Sequence, residues 1–446
     1  MTDRMNDADL DAVIIGANIR GLVAAHVLTN LGFRIVLLER TQRMGGADAT
    51  FTTRAGNRFE FGMHVLDYMR SEVATRMFTD VVDGAVQRTT LQRGIVLRGH
   101  LMPYAPVPGD MPEELRNMLP GDTLIDDLGD DLPTRARLSC DYGQAFADLI
   151  FDEVLPSFPS EYRHRAFGVD EARLLANIYP WFFPRATRSP RSGDASRAFH
   201  DKLRAEVPQQ ILYPRDGGFG GFADGFVNSL KAGGTEILLG AEDLEVDLEP
   251  GTHSVRRITA KGRTFQARHY FWATSWPALC QVLELPCQEV ATDRVVVGSF
   301  LFDRPLSGAY QEILVGDPTF HINRLYFPGR FRQSEEPLLQ IEFAFPRAED
   351  RPKDSAHWKE RWLKDLKQLG IISDEHEVLD FDFKTAPIHF NAYGMEGVAL
   401  VDADPGLIRA DSNLHSVVPS MANLNLNNHV PRTVADVTAI VCRNPG

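Results

Sequence analysis

An α/β fold, in which a parallel sheet covered by helices is interleaved with a second region of antiparallel sheet and helices, is predicted by three observations. Residues 12–39 read as strand, glycine turn, helix and second strand ending in an acid. The same turn, helix and strand patterning returns at 211–240 after a long stretch without it. Between 294 and 389 come runs rich in β-branched and aromatic residues, the composition of antiparallel strands.

The first unit is Val13-Ile14-Ile15-Gly16-Ala17-Asn18-Ile19-Arg20-Gly21. Its apolar run 12–15 suits a strand buried on both faces, and 21–28 holds the small and apolar residues that let a helix lie close to a sheet. The amides at such a helix start are unpaired and sit at the positive dipole end, so they bind anions without a charged side chain. Glu39 follows Gly21 by 18 residues at the end of the second strand. A carboxylate there accepts hydrogen bonds from ribose hydroxyls and repels a 2′-phosphate. The unit therefore predicts a dinucleotide site with Gly16, Asn18, Gly21, Glu39 and Arg40 around an unphosphorylated adenosine. Asn18 replaces the usual central glycine; it is the least costly substitute if the turn needs positive φ, although it adds bulk beside the phosphates. The plain alternative is an ordinary βαβ unit with a surface glutamate.

Beyond this unit, Glu39-Arg40-Thr41-Gln42-Arg43-Met44-Gly45-Gly46 and then Phe61-Gly62-Met63-His64 resemble the flavoproteins grouped around amine oxidases, protoporphyrinogen oxidases, phytoene desaturases and UDP-galactopyranose mutases. In those families an acid-to-Gly-Gly segment follows the ribose acid, and a Gly-x-His or related loop crosses the flavin ring. The resemblance implies FAD as cofactor, with Gly45, Gly46, Gly62 and Met63 among its contacts. It also implies a Rossmann-type FAD-binding domain built from 1–70, 211–293 and 390–446, interleaved with a substrate domain built from 71–210 and 294–389. His64 corresponds to a histidine beside the flavin in mutase-like relatives, where an imidazole orients a flavin carbonyl or moves a proton near neutral pH. A histidine making only local loop bonds is the alternative.

Composition agrees with such an enzyme. A chain of 446 residues exceeds what one core usually supports. A net charge of −14 repels nucleic-acid backbones except at a local basic patch. No apolar run reaches the roughly 18 residues of a membrane span. The polar, acidic start argues against a secretory signal, which predicts a cytoplasmic location. Cys140, Cys280, Cys287 and Cys442 are scattered without metal-ligand or disulfide spacing and read as free thiols.

From 71 to 210 helix-like segments at 72–82, 142–151 and 171–178, joined by proline-rich turns, predict a helical roof over the substrate. Tyr179, Trp181 and Arg185 within it place aromatics beside guanidinium groups, which either stack a ring and pair with an anion or form a core cluster with solvated arginines. Residues 211–221, the helix 222–231 and the strand 234–240 resemble the second cofactor segment of the same flavoproteins, which places Leu244 near the adenine; a glycine turn without ligand is the alternative. Runs at 255–259 and 264–267 predict a hairpin, and 269–274 a strand returning to the cofactor sheet. Within the antiparallel runs 295–302, 321–328 and 338–345, Arg324 is similar to a substrate-facing arginine of mutase-like members. Its planar fork either binds a diphosphate or carboxylate, or pairs internally with Glu342.

The C-terminal stretch 412–437 resembles the strand, loop and helix that close over the isoalloxazine, with the helix start stabilising charge on the reduced ring. It departs from the usual form at Val418, Pro419 and Ser420. Asn423, Asn425, Asn427 and Asn428 are expected either as flavin-edge or substrate partners, Asn428 on the catalytic side, or as residues capping their own loop. The leading expectation is hydride abstraction by FAD from a small polar substrate, with His64 or a water taking a proton. The runner-up is redox-neutral sugar-nucleotide isomerisation, and the third reading is a flavin-binding scaffold without turnover.

Overall fold

The computed structural model describes residues 10–67, 71–104, 110–118, 139, 143–154, 210–284, 289–346, 354–385, 390–393, 412–417 and 426–443. Among them a parallel sheet runs in the order β10 (Glu236–Leu239), β2 (Ile35–Glu39), β1 (Leu10–Ile15), β14 (Ala267–Trp272) and β21 (Leu414–Ser416). β1 sits at the centre because Ala12, Val13 and Ile14 are apolar on both faces, and all three are fully buried. Each side chain of the size of Val13 or Ile14 so buried stabilises the fold by roughly 1.5–3 kcal/mol. One face packs on α1 (Ile19–Asn30) through Leu22 and Leu28, on α3 (Gly220–Ala232) through Phe222 and Phe226, and on α5 (Leu426–Arg443) through Val430 and Val437. The other face is covered by the antiparallel strands β11 (Glu245–Leu248), β12 (Val255–Ala260) and β13 (Arg263–Phe265), whose Ile258 and Phe265 join Val13, Val36 and Tyr270 in one cluster. The expected α/β organisation is present.

A larger sheet runs β19 (Val378–Thr385), β15 (Glu289–Phe302), β18 (Leu338–Pro346), β17 (Arg324–Tyr326), β16 (Glu312–Val315), β7 (Arg93–Leu97) and β8 (His100–Pro103), with β20 (Phe390–Tyr393) paired to the start of β15. Its pairs are antiparallel except β16 with β7. α4 (Ser355–Gln368) lays Trp358 and Trp362 against Phe300, Phe343 and Phe345 on this sheet.

The expected all-helical character of 71–210 is corrected here. α2 (Glu72–Asp80) forms, capped by Ser71 Oγ on Ala74 N at 3.2 Å, and Gln144–Asp148 is helical, but β6 (Val86–Thr90), β7 and β8 are strands. Two physical reasons hid them. A five-residue run such as Arg93–Leu97 is too short for its period to separate strand from helix, and its partner β16 lies far along the chain. The β7–β8 turn is Arg98-Gly99, both at positive φ, rather than the Asn-Gly or Asp-Gly that usually announces this hairpin. The strand expected over 321–328 is confined to Arg324–Tyr326. The segment 171–178 lies outside the described residues.

Two small sheets connect the large ones. β3 (Thr50–Thr52) pairs with β4 (Arg58–Glu60), and β9 (Gln210–Pro214) pairs with both β5 (Leu66–Asp67) and β6. The expected domain cut at 293/294 falls inside β15, and residues 390–393, expected with the cofactor domain, pair with that strand. Among the described residues no helix is long and apolar enough to cross a membrane. Cys280 is buried and Cys442 exposed; Cys140 and Cys287 lie outside the described residues.

Candidate functional site

The turn after β1 is built around Asn18. Its φ of −72° and ψ of 176° are extended, so the turn does not need positive φ here and that reason for an asparagine does not apply. Asn18 is instead the N-cap of α1: Oδ1 accepts from Arg20 N at 3.1 Å and Gly21 N at 3.2 Å, a cap worth about 1 kcal/mol. Asn18 Nδ2 donates to Ala273 O at 2.5 Å, tying the cap to the end of β14. Glycine is required at position 21 because a Cβ there would run into Gly16 O. Gly45 N donates to Ala17 O at 2.7 Å, which sets the Gly45-Gly46 loop on the turn, and a Cβ on Gly46 would lie 2.9 Å from Asn18 Cβ.

Glu39, at the end of β2, faces the same turn. Oε2 accepts from Ala17 N at 2.8 Å, and Oε1 accepts from Thr41 N and Thr41 Oγ1, both at 2.8 Å. A carboxylate has about four acceptor positions, so roughly one stays available for a ribose hydroxyl. Arg40 is exposed beside it. Gly16, Asn18, Gly21, Glu39, Gly45 and Gly46 are thus brought together. Leu244 is not part of this group; it packs partly buried against the cluster beneath the sheet.

Two residues that sequence reasoning missed complete the turn. Arg20 follows the cap, and its Nε is buried with no hydrogen-bond partner among the described residues. Asp48 ends the 3-10 turn Gly46–Asp48, and burial holds its carboxyl above the ordinary range, with His64 and Arg20 opposing. Its signal was an acid two positions beyond the glycine pair. An orphaned buried guanidinium nitrogen, a glycine loop pressed onto the turn and an acid with acceptor capacity together fit a nucleotide carrying phosphate.

Gly62, Met63 and His64 form the next wall. His64 Nδ1 lies 3.1 Å from Gly62 O, and its Nε2 lies 3.6 Å from Asp48 Oδ1. Met63 N donates to Glu342 Oε1 at 2.7 Å, so this loop is tied to β18 of the larger sheet. Glu342 lies 3.5 Å from Arg324 Nη1, Arg324 Nε lies 3.2 Å from Glu312 Oε1, and the other oxygen of that carboxylate, Oε2, accepts from Arg93 Nε. Of the two readings for Arg324, the internal pair with Glu342 is present, and Glu312 extends it. Charges of alternating sign therefore run along β18, β17, β16 and β7.

Beneath that row lies a buried polar knot. Glu60 Oε1 accepts from Tyr213 OH and from Phe219 N at 2.6 Å, Tyr213 OH lies 2.6 Å from Tyr326 OH, and Gln340 Nε2 donates to Glu60 O at 2.5 Å. Burial raises Glu60, and burial together with the charge of Glu60 holds both tyrosines well above 10. The connection among these groups is not visible in the sequence because they lie on separate strands, and only the tertiary fold brings them together. Tyr179, Trp181, Arg185, Asn423 and Asn425 lie outside the described residues, as do Val418, Pro419 and Ser420. Asn427 and Asn428 fall in the first turn of α5.

Comparison with known proteins agrees with this geometry. Residues 14–81 match the family described as NAD(P)-binding Rossmann-like domain. An all-trans-retinol 13,14-reductase of Danio rerio is 33% identical over 85 residues, which cover 19% of this chain and 14% of that protein. The likeness to that relative thus spans about a seventh of its length. Over nearly the whole chain the fold is similar to that of a reduced UDP-galactopyranose mutase, with a TM-score of 0.70 at 15% identity, covering 98% of this chain and 96% of that one. It is also similar to a putrescine oxidase bound to putrescine, with a TM-score of 0.58 at 14% identity, covering 97% and 99%. The chain shares the fold of the proteins its motifs resemble.

Proposed function

We propose that this chain is an FAD-dependent oxidoreductase that abstracts hydride from a small polar substrate. The observation that carries the reading is the Met63–Glu342 bond, because it joins the loop following the nucleotide cradle to the charged row of the larger sheet. Glu39 would hold the adenosine ribose, and the turn at Gly16–Gly21 with Gly45-Gly46 would hold the phosphates. FAD, when bound, supplies the hydride acceptor.

The chain's own residues supply polarity and a place for a proton. Nδ1–H of His64 donated to Gly62 O leaves Nε2 turned toward Asp48, and a buried acid held above its usual range makes that edge suited to taking or passing one proton. Arg324 and Glu342, each only partly exposed, present opposite charges to a polar substrate. The redox-neutral sugar-nucleotide reading asks for an arginine free to hold a diphosphate, and Arg324 is engaged by two carboxylates. Hydride abstraction is preferred for that reason.

The test begins with the absorption spectrum of the purified protein. Flavin bands, or their appearance on adding FAD, are expected; their absence in both cases would end the proposal. Anaerobic mixing with candidate amines, alcohols and unsaturated acids should then bleach the oxidised flavin. A protein that acts only after prior reduction, with no net change of redox state, would favour the isomerase; tight ligand binding without turnover in either state would favour a scaffold.

A further inference from the structure

Two of the amides at the start of α1, Arg20 N and Gly21 N, are not bare as they are where a simple glycine turn binds a diphosphate. Asn18 Oδ1 has taken Arg20 N and Gly21 N, and the side chain is held in that pose by its Nδ2, which donates to Ala273 O. A phosphate arriving there would meet donors already in use. The side chain that follows the cap has the opposite condition. Arg20 Nε is buried and unpartnered, and among the described residues no carboxylate lies within 4.0 Å of its guanidinium. Asp48, the acid that acts on it electrostatically, is set against His64.

We propose that Arg20 is the diphosphate-binding residue of this chain, its guanidinium replacing the helix amides that Asn18 occupies. The ligand class is a nucleoside diphosphate, free or as the ADP half of a dinucleotide, and the inference deepens the nucleotide reading above and rests on it. Three features point the same way. A guanidinium taken out of water without an anion is left uncompensated, so an anionic partner is called for. Its planar fork matches two phosphate oxygens, which a lysine would not. Its place in the first turn of α1 lets the helix dipole act on the same anion. Separately, burial pulls Arg20 down to about 10, with Asp48 opposing, so the side chain is cationic throughout the neutral range.

Calorimetry with ADP and adenosine on the full chain tests this, using wild type, Arg20→Gln and the double variant Asn18→Gly/Arg20→Gln. Wild type should prefer ADP. Arg20→Gln should lower ADP affinity roughly ten- to a hundredfold while adenosine binding, which also reports folding, stays unchanged. The double variant should regain part of the loss, because removing the cap frees the two helix amides. An unchanged ratio of ADP to adenosine affinity in Arg20→Gln overturns the proposal, and so does a variant that loses thermal stability while keeping that ratio. An Arg20-dependent preference for ADP in a protein that never takes up FAD would support this assignment and sink the flavin reading. Wild type that binds neither ADP nor FAD would overturn both.

Discussion

Lowering the pH from 7 to 4 should destabilise this protein through one imidazole, His415. It lies on β21 beside β14, with Nε2 3.2 Å from His269 Nδ1 and its ring 5.2 Å from that of Phe271. Burial, and then the neighbouring His269, pull His415 from 6.5 down to about 4. In the unfolded chain the ring takes its proton near 6.5, whereas the folded protein refuses it until about 4. Stability from this site is therefore fully present above 6.5 and is lost as the pH falls toward 4. At about 1.4 kcal/mol per pH unit the loss comes to about 3 kcal/mol. Urea unfolding of wild type and His415→Gln at half-unit steps from pH 7 to 4 measures it. The wild-type curve should fall more steeply, with about one extra proton taken up on unfolding near pH 5. His26 is also held low by burial, but it is common to both proteins and cancels. Parallel curves would refute the reasoning.

Three further outcomes are expected. Gly21→Ala drives a Cβ into Gly16 O and should cost about 3 kcal/mol or more, read as a fall in midpoint on thermal unfolding; a wild-type midpoint would mean the turn has slack. Tyr213→Phe and Tyr326→Phe should each cost about 1–3 kcal/mol in denaturant titrations, and the double variant less than their sum, because the two phenols are bonded to each other and only through Tyr213 to the buried Glu60 carboxylate; strict additivity would deny the coupling. His64→Ala should reduce turnover while FAD stays bound, and unimpaired turnover would remove His64 from the chemistry.

How much of this could be seen in the chain itself depends on the reach of each interaction. β1, α1 and β2 were legible because an apolar run, a helical period and a terminal acid are local signals, and Glu39 sits where those signals placed it. Asn18 was visible as an anomaly but not as a cap, since asparagine suits both positive φ and an N-cap, and only the helix starting at Ile19 decides between them. β6 to β8 and the groups around Glu60 and Glu312 were not legible. Their partners lie far away in sequence, and a polar residue in a short strand gives no hint of which strand will face it. Arg324 shows the intermediate case: its pairing with Glu342 was foreseen as one alternative, while Glu312 and Arg93 required the β16–β7 register to appear.

The interleaving of the sheets has a consequence for how the molecule is made. β1 at the start of the chain finds its second neighbour only at Ala267–Trp272, and Arg93–Leu97 finds β16 only at Glu312–Val315. A nascent chain released after its first 100 residues would carry sheet edges whose partners have not yet been synthesised. Such edges attract foreign strands, and contacts of this range slow folding. Neither half is expected to fold when expressed alone, and limited proteolysis should leave a nicked but associated protein rather than two separable fragments.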